Sequence, residues 1–164
     1  MTDAQFDSAA DDYPAWSPDS RRLIFASARA GTSNLNLFWQ TADGTGAMER
    51  LTESPALQNP YAVTPDGTRI VFREDGATTA ANIMLMPLQP PRQSQPLVQT
   101  MFNERNAEIA SDGRWIAYEA NESGRLEIYC APFRMLAGAD GRCLPSADGR
   151  RYGLATAASC STCR

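Results

Sequence analysis

Three short apolar runs recur along this chain at nearly equal intervals: Arg22-Leu23-Ile24-Phe25-Ala26, Arg69-Ile70-Val71-Phe72 and Arg114-Trp115-Ile116-Ala117-Tyr118. They are rich in β-branched and aromatic residues and bulky on both faces, which predicts strands sandwiched between layers rather than half-exposed ones. Each run is followed by a turn-forming gap: residues 30–34, then Asp75-Gly76-Ala77, then residues 121–124. A second run comes next in each copy: Asn36-Leu37-Phe38-Trp39-Gln40, Asn82-Ile83-Met84-Leu85-Met86 and Leu126-Glu127-Ile128-Tyr129-Cys130. Two copies add a shorter run, Glu49-Arg50-Leu51-Thr52 and Gln95-Pro96-Leu97-Val98. The pattern predicts an all-β chain of repeated units, each holding about four short strands.

Before each first run stands one motif in three versions: Ala15-Trp16-Ser17-Pro18-Asp19-Ser20, Ala62-Val63-Thr64-Pro65-Asp66-Gly67 and Glu108-Ile109-Ala110-Ser111-Asp112-Gly113. Asp19 and Asp66 are 47 residues apart and Asp66 and Asp112 are 46 apart, a period typical of propeller blades and solenoid repeats. Proline presets φ for the second position of a tight turn, Asp bonds its local backbone, and Gly relaxes the exit. The three Asp residues are therefore read as turn formers joining antiparallel strands, not as catalytic or metal-binding carboxylates.

The motif, with its hydrophobic strand, Gly turn, aromatic strand and Leu-Thr ending, resembles the TolB-type, WD-like bacterial β-propeller repeat, and the resemblance covers about Phe6 to Phe133. Ser20 stands where the repeat has Gly, Val63 and Ile109 where it has Trp, and Ala110-Ser111 where it has Ser-Pro. The resemblance implies four-stranded antiparallel blades around a central channel, used mainly as a protein-binding platform. Such domains occur as TolB itself, as gating propellers ahead of peptidase domains, and as outer domains of membrane-linked serine/threonine kinases. The stretch from Asn106 to Phe133 looks most like the kinase-associated subset, although no kinase domain is present in this sequence. The blades are expected at about 6–52, 53–98 and 99–133.

Closed propellers use about four to eight blades. Three blades leave an apolar face bare at each end, and two copies related by a twofold along the channel close a six-bladed ring. A homodimer of half-rings is therefore expected.

Residues 134–164 abandon the strand pattern and gather three of the four cysteines, Cys143, Cys160 and Cys163. Read one frame over with free third bases, residues 151–164 can spell VWARDGRELFYVS, another blade motif with its strand. Its Asp falls at the Ala155/Thr156 junction, 44 residues beyond Asp112 if 156 is used. The tail is accordingly read as out-of-frame sequence, and the chain as a truncated propeller.

Charge narrows the partners. Residues 1–133 carry ten Arg against 17 acids, or −7, while the tail carries five Arg against two acids, or +3. An acidic body disfavours nucleic acid, whose binding draws on phosphate neutralisation. Cationic or neutral protein or peptide surfaces suit it better. No run is long and apolar enough to span a membrane, and the start lacks a basic and apolar leader. Membrane binding is not expected, and the chain as encoded is expected in the cytoplasm, although its relatives are often exported.

The chain has no histidine, so it cannot build a Ser-His-Asp or Cys-His nucleophile or an imidazole metal site. Cys160-Ser161-Thr162-Cys163 is a C-x-x-C pair without a second pair or a following helix, and is not read as a redox or zinc site. Cys130 reads as a buried hydrophobe. Asp11-Asp12 reads as a solvated surface turn rather than a calcium loop, and Phe38-Trp39 as packing against the next blade. Met84, Met86 and Met101 read as core filling, and Glu108 as projecting into the channel without a catalytic role. No catalytic, cofactor-binding or metal-binding residues, and no cofactor, are assigned. The expected function is that of a non-enzymatic propeller scaffold, or a remnant of one. The alternative is an accessory substrate-gating propeller of a hydrolase or lyase.

Overall fold

The computed structural model describes residues 10–29, 34–76 and 80–137. They form eleven strands and one short helix: β1 (Asp11–Trp16), β2 (Arg22–Ser27), β3 (Asn36–Thr41), β4 (Glu49–Arg50), β5 (Gln58–Val63), β6 (Arg69–Asp75), β7 (Ala81–Pro87), β8 (Gln95–Val98), β9 (Glu104–Ile109), β10 (Trp115–Ala120), β11 (Glu127–Pro132) and α1 (Phe133–Ala137). The strands make three antiparallel meanders in the orders β1-β2-β3-β4, β5-β6-β7-β8 and β9-β10-β11. Their registers coincide: Trp16 faces Leu23, Val63 faces Ile70 and Ile109 faces Ile116 across the first hairpin of each sheet. The repeat seen in the sequence is thus a repeat of whole sheets.

The third sheet departs from the expected four strands, holding three among the described residues. Where the first two sheets run on to β4 and β8, the chain after Pro132 turns into α1, and Phe133 buries its ring in the contact with the second sheet. Residues 138–164, including Cys143, Cys160, Cys163 and the stretch read as out of frame, lie outside the described residues.

The turn motif explains why the hairpins recur in step. Ser20 N–H donates to the Ser17 carbonyl at 2.9 Å, Gly67 N–H to Thr64 at 2.7 Å and Gly113 N–H to Ala110 at 2.8 Å. In each copy the Asp accepts the backbone N–H two residues on: Arg21 to Asp19 at 3.0 Å, Thr68 to Asp66 at 3.0 Å and Arg114 to Asp112 at 2.9 Å. The fourth turn residue is left-handed every time, with φ of 56° at Ser20, 70° at Gly67 and 69° at Gly113. Ser17 donates its hydroxyl to Asp19 and accepts the Arg22 N–H, as Thr64 does with Asp66 and Arg69. Ala110 carries no hydroxyl, so the third turn keeps only the backbone and Asp bonds.

Side chains alternate across a strand, so every sheet has a leading face toward the sheet before it and a trailing face toward the sheet after it. The trailing face of the first sheet (Ile24, Leu37, Trp39) and the leading face of the second (Val63, Ile70, Phe72, Met84, Met86) form one buried cluster. The trailing face of the second (Val71, Ile83, Leu85) meets the leading face of the third (Ile109, Ile116, Tyr118, Ala131, Phe133) in another. Both faces of the middle sheet are buried, which is why its strands lack polar alternation. Arg22 stacks its guanidinium 4.0 Å from the Trp39 ring centroid, and Arg92 lies 5.5 Å from the same ring. Glu49 accepts from Trp39 Nε1–H at 2.7 Å and from Arg92 at 2.6 Å. Because Arg92 belongs to the β7–β8 connection, this clamp ties the first two sheets together.

Removing Phe72, fully buried between the first two sheets, should cost about 3–5 kcal/mol as Phe72→Ala, read as a lower urea midpoint. Ser20→Gly should raise stability by about 0.5–1 kcal/mol. It removes about 1–2 kcal/mol of left-handed strain against about 0.5–1 kcal/mol of added unfolded-state freedom. An unchanged urea midpoint would contradict the strained turn.

Candidate binding surface

The first strands of neighbouring sheets lie close together, β1 against β5 and β5 against β9, whereas the outer strands β4 and β8 make no comparable approach. The sheets therefore fan out from a hub whose inner edge is β1, β5 and β9, as in a propeller. All three hub strands break register at the same place: between Asp12 and Ala15, between Pro60 and Ala62, and opposite Ala117–Glu119 in β10. The residues at the break are Tyr13, Pro60 and Asn106. Tyr13 and Asn106 adopt left-handed φ of 56° and 52°, which Pro60 cannot. Bulges of this kind re-aim side chains and leave backbone groups for other partners.

The hub edge is polar and exposed on β1 and β9. Asp12, Tyr13, Asn106 and Glu108 are exposed, and Tyr61 is half-buried. Arg105 Nε donates to Glu119 at 2.8 Å, and bonds from Asn106 and Arg105 hold the Glu119 carboxyl below its ordinary range. Burial pushes the Tyr61 phenol up, opposed by the Asn106 backbone N–H and by Arg73 and Arg105. Asp11 pairs with Arg29, whose guanidinium also lies over Phe25 at 5.6 Å. Beside the hub is an open depression of ≈ 270 Å³ lined by Arg73, Asp75, Gly76, Ala80, Ala81 and Asn103. It falls below the roughly 300–1,000 Å³ of enclosed ligand clefts. Among the described residues no three His, Cys, Asp or Glu side chains gather as a metal site, and no helix is long and apolar enough to cross a membrane.

One hub residue differs in kind from its counterparts. Gln58 opens β5, accepts the Thr52 hydroxyl and donates its amide to Glu74 across the β5–β6 hairpin. Glu104 opens β9 and accepts the Thr100 hydroxyl, but Ala120 stands where Glu74 would. Glu104 is 1% exposed, and its second carboxyl oxygen has no hydrogen-bond partner. Burial pushes its pKa up against the Thr100 bonds, and the Glu122 charge adds to the rise. Tyr118, close by, is pushed up to about 12 by burial and then by Glu104 and Glu122. Nothing in the sequence marked this position, because Gln-to-Glu at a strand start is ordinary until its cross-strand partner is known.

The structure places the other candidates as follows. Asp19, Asp66 and Asp112 sit in the three turns at one end of the sheets. Asp11 and Asp12 form no surface turn: they pair with Ser27 and Ala26 inside β1, because backbone bonds to β2 carry the strand past them. Trp39 packs against the second sheet, but Phe38 does not. Adjacent strand residues point to opposite faces, and Phe38 stacks on Phe25 with centroids 6.4 Å apart. Met84 and Met86 are core residues, whereas Met101 is 80% exposed in the β8–β9 connection, where the half-buried residues are its neighbours Phe102 and Asn103. Glu108 is exposed on the hub strand, and Cys130 is half-buried on the trailing face of the third sheet.

Since Glu104 takes up a proton more readily folded than unfolded, its contribution is full below the ordinary value of 4.5 and is lost as pH rises through its folded pKa. Stability measured by urea unfolding between about pH 4.5 and 8 should fall with pH in this window, and Glu104→Gln should flatten that fall. Identical pH profiles for the two proteins would show that Glu104 is not strained by ionisation.

No family profile matches the chain. Among solved structures, TolB from Acinetobacter baumannii superposes with a TM-score of 0.62 over 80% of this chain at 22% identity. A protein described as TolB from Agrobacterium tumefaciens gives 0.59 over 77% at 14%. Prolyl oligopeptidase B from Galerina marginata gives 0.60 over 87% at 12%. The chain spans 33%, 59% and 20% of the lengths of those three proteins. At such identities the likeness concerns architecture, and it agrees with the fan of antiparallel sheets: the chain has a TolB-like β-propeller fold.

Proposed function

We propose that the chain is a non-enzymatic propeller module, or a truncated remnant of one, that binds a protein or peptide along its hub. The observation that carries this reading is the run of three neighbouring bulged strands along the hub, of which β1 exposes Asp12 and Tyr13 and β9 exposes Asn106 and Glu108. An exposed aromatic ring beside carboxylates suits a basic or neutral peptide segment, in keeping with the −7 charge of residues 1–133. The motif's likeness to kinase-associated repeats supports a recognition role of the same kind. It carries no kinase activity to this chain.

A second reading, an accessory propeller that gates substrate for a hydrolase or lyase, is favoured by one observation. The fold also superposes on prolyl oligopeptidase B, of which this chain matches only a fifth. In that reading catalysis belongs to a domain outside this sequence.

A random-peptide display selection tests the proposal. Peptides enriched on the wild-type chain should be basic or aromatic, and should lose at least about tenfold in affinity on a Tyr13→Ser, Asp12→Asn, Glu108→Gln variant. Peptides bound equally by both proteins would place recognition elsewhere. Cleavage of the selected peptides by the purified chain would overturn the non-enzymatic reading.

A further inference from the structure

The two sheet contacts inside the chain define what each unused end face requires: a trailing face is covered by a leading face, and the reverse. Two faces have no sheet against them among the described residues. One is the leading face of the first sheet and the other is the trailing face of the third. Matching the registers gives their composition position by position. On the leading side, Trp16 and Leu23 occupy the places of Val63 and Ile70, and of Ile109 and Ile116. On the trailing side, Ala117 occupies the place of Ile24 and Val71, Cys130 that of Trp39 and Leu85, and Ile128 that of Leu37 and Ile83.

The two open faces differ from their inner counterparts in which apolar residues they leave exposed. Within the chain, large trailing residues such as Trp39 meet a leading face that carries only Val63 at the hub strand. On the trailing face of the third sheet Ala117 and Cys130 stand where the inner contacts have Ile24 or Val71 and Trp39 or Leu85, while a half-buried Trp115 takes the place of Arg22 and Arg69. The leading face of the first sheet carries Trp16, which is 57% exposed. Ile128, which would lie across from it, is 43% exposed, whereas its counterparts Leu37 and Ile83 are fully buried. The upper part of the first leading face is already closed, since Phe25 and Phe38 are buried with Arg29 over Phe25. The open part is therefore the region around Trp16 and Leu23. The open faces thus carry exposed apolar side chains, Trp16 on one and Ile128 on the other, at positions that are buried in the contact the chain makes twice internally.

We propose that these two faces bind each other between two copies of this chain, with Trp16 of each copy set over Ala117, Cys130 and Ile128 of the other, closing a six-bladed ring. A second copy meets both unused faces at once, since a twofold along the hub brings leading to trailing face on each side. Six blades lie within the range of about four to eight that close a propeller. This interface rests on the fold alone, not on the hub's binding role, so it can fail while peptide binding survives, and peptide binding can fail while it stands.

Light scattering on the full chain in reductant, across the micromolar range, should give twice the 17.9 kDa chain mass. Trp16→Asp and Ile128→Glu each alter an exposed side chain. Each alone should give the single-chain mass with an unchanged far-ultraviolet circular dichroism spectrum. An equimolar mixture of the two variants should recover a dimer weaker than wild type, because one of its two seams pairs an intact Trp16 with an intact Ile128. A wild-type monomer throughout the range would overturn the proposal. So would a dimer that both variants leave intact, an open ladder of higher masses, or two folded monomeric variants whose mixture stays monomeric. Should either variant lose its spectrum, the softer Trp16→Ser and Ile128→Ser pair carries the same mixing test.

Discussion

A β-sheet whose two faces are both apolar cannot bury them alone, and that constraint organises this molecule. Each sheet here is a short meander with aliphatic and aromatic side chains on both sides, so it is stable only between neighbours. Burying a side chain such as Phe72, Ile83 or Leu85 contributes roughly 1.5–3 kcal/mol, and these residues are fully buried only because sheets one and three flank sheet two. The repeat in the sequence is the covalent record of that demand. Every copy carries a leading and a trailing face, and in the middle copy both are covered by neighbouring sheets.

Fanning follows from the same packing. Hub strands touch while outer strands separate, so the inner edge is where polar groups of three sheets approach one another and where a ligand would meet several at once. The register breaks at Tyr13, Pro60 and Asn106 fall on that edge, and so does the buried Glu104. The outer part of the first contact is fastened differently, by the Arg22–Trp39–Arg92 stack and its Glu49 acceptor. Apolar packing thus sets the sheet order, and a few charged groups fix the edges.

Much of the fold was legible in the chain because its turns are local. The bonds within Ser17–Arg22 and Thr64–Arg69 depend on residues a few positions apart, so the motif announces the hairpins and their spacing announces the repeat. What lay hidden depended on partners distant in sequence. The opposite orientation of Phe38 and Trp39 follows once the β2–β3 register is known. The exposure of Met101 follows from the course of the β8–β9 connection, which turns Phe102 and Asn103 inward and leaves Met101 outside. The strain at Glu104 needs the knowledge that Ala120, not a carboxylate, stands across the ladder. The hub edge itself was legible only as an implication of the family resemblance, since the register breaks that shape it leave no signature beyond an unremarkable Tyr, Pro or Asn.

The central claim is that the middle sheet is sandwiched and that its neighbours are each covered on one face within the chain. Native-state amide hydrogen exchange tests this most directly, because opening free energies follow burial and neighbour packing. The account predicts that the amides of β6 and β7 exchange most slowly and open together, ahead of those in β2, β3, β10 and β11. Equal protection in all three sheets, or slower exchange in the first or third sheet than in the second, would contradict it.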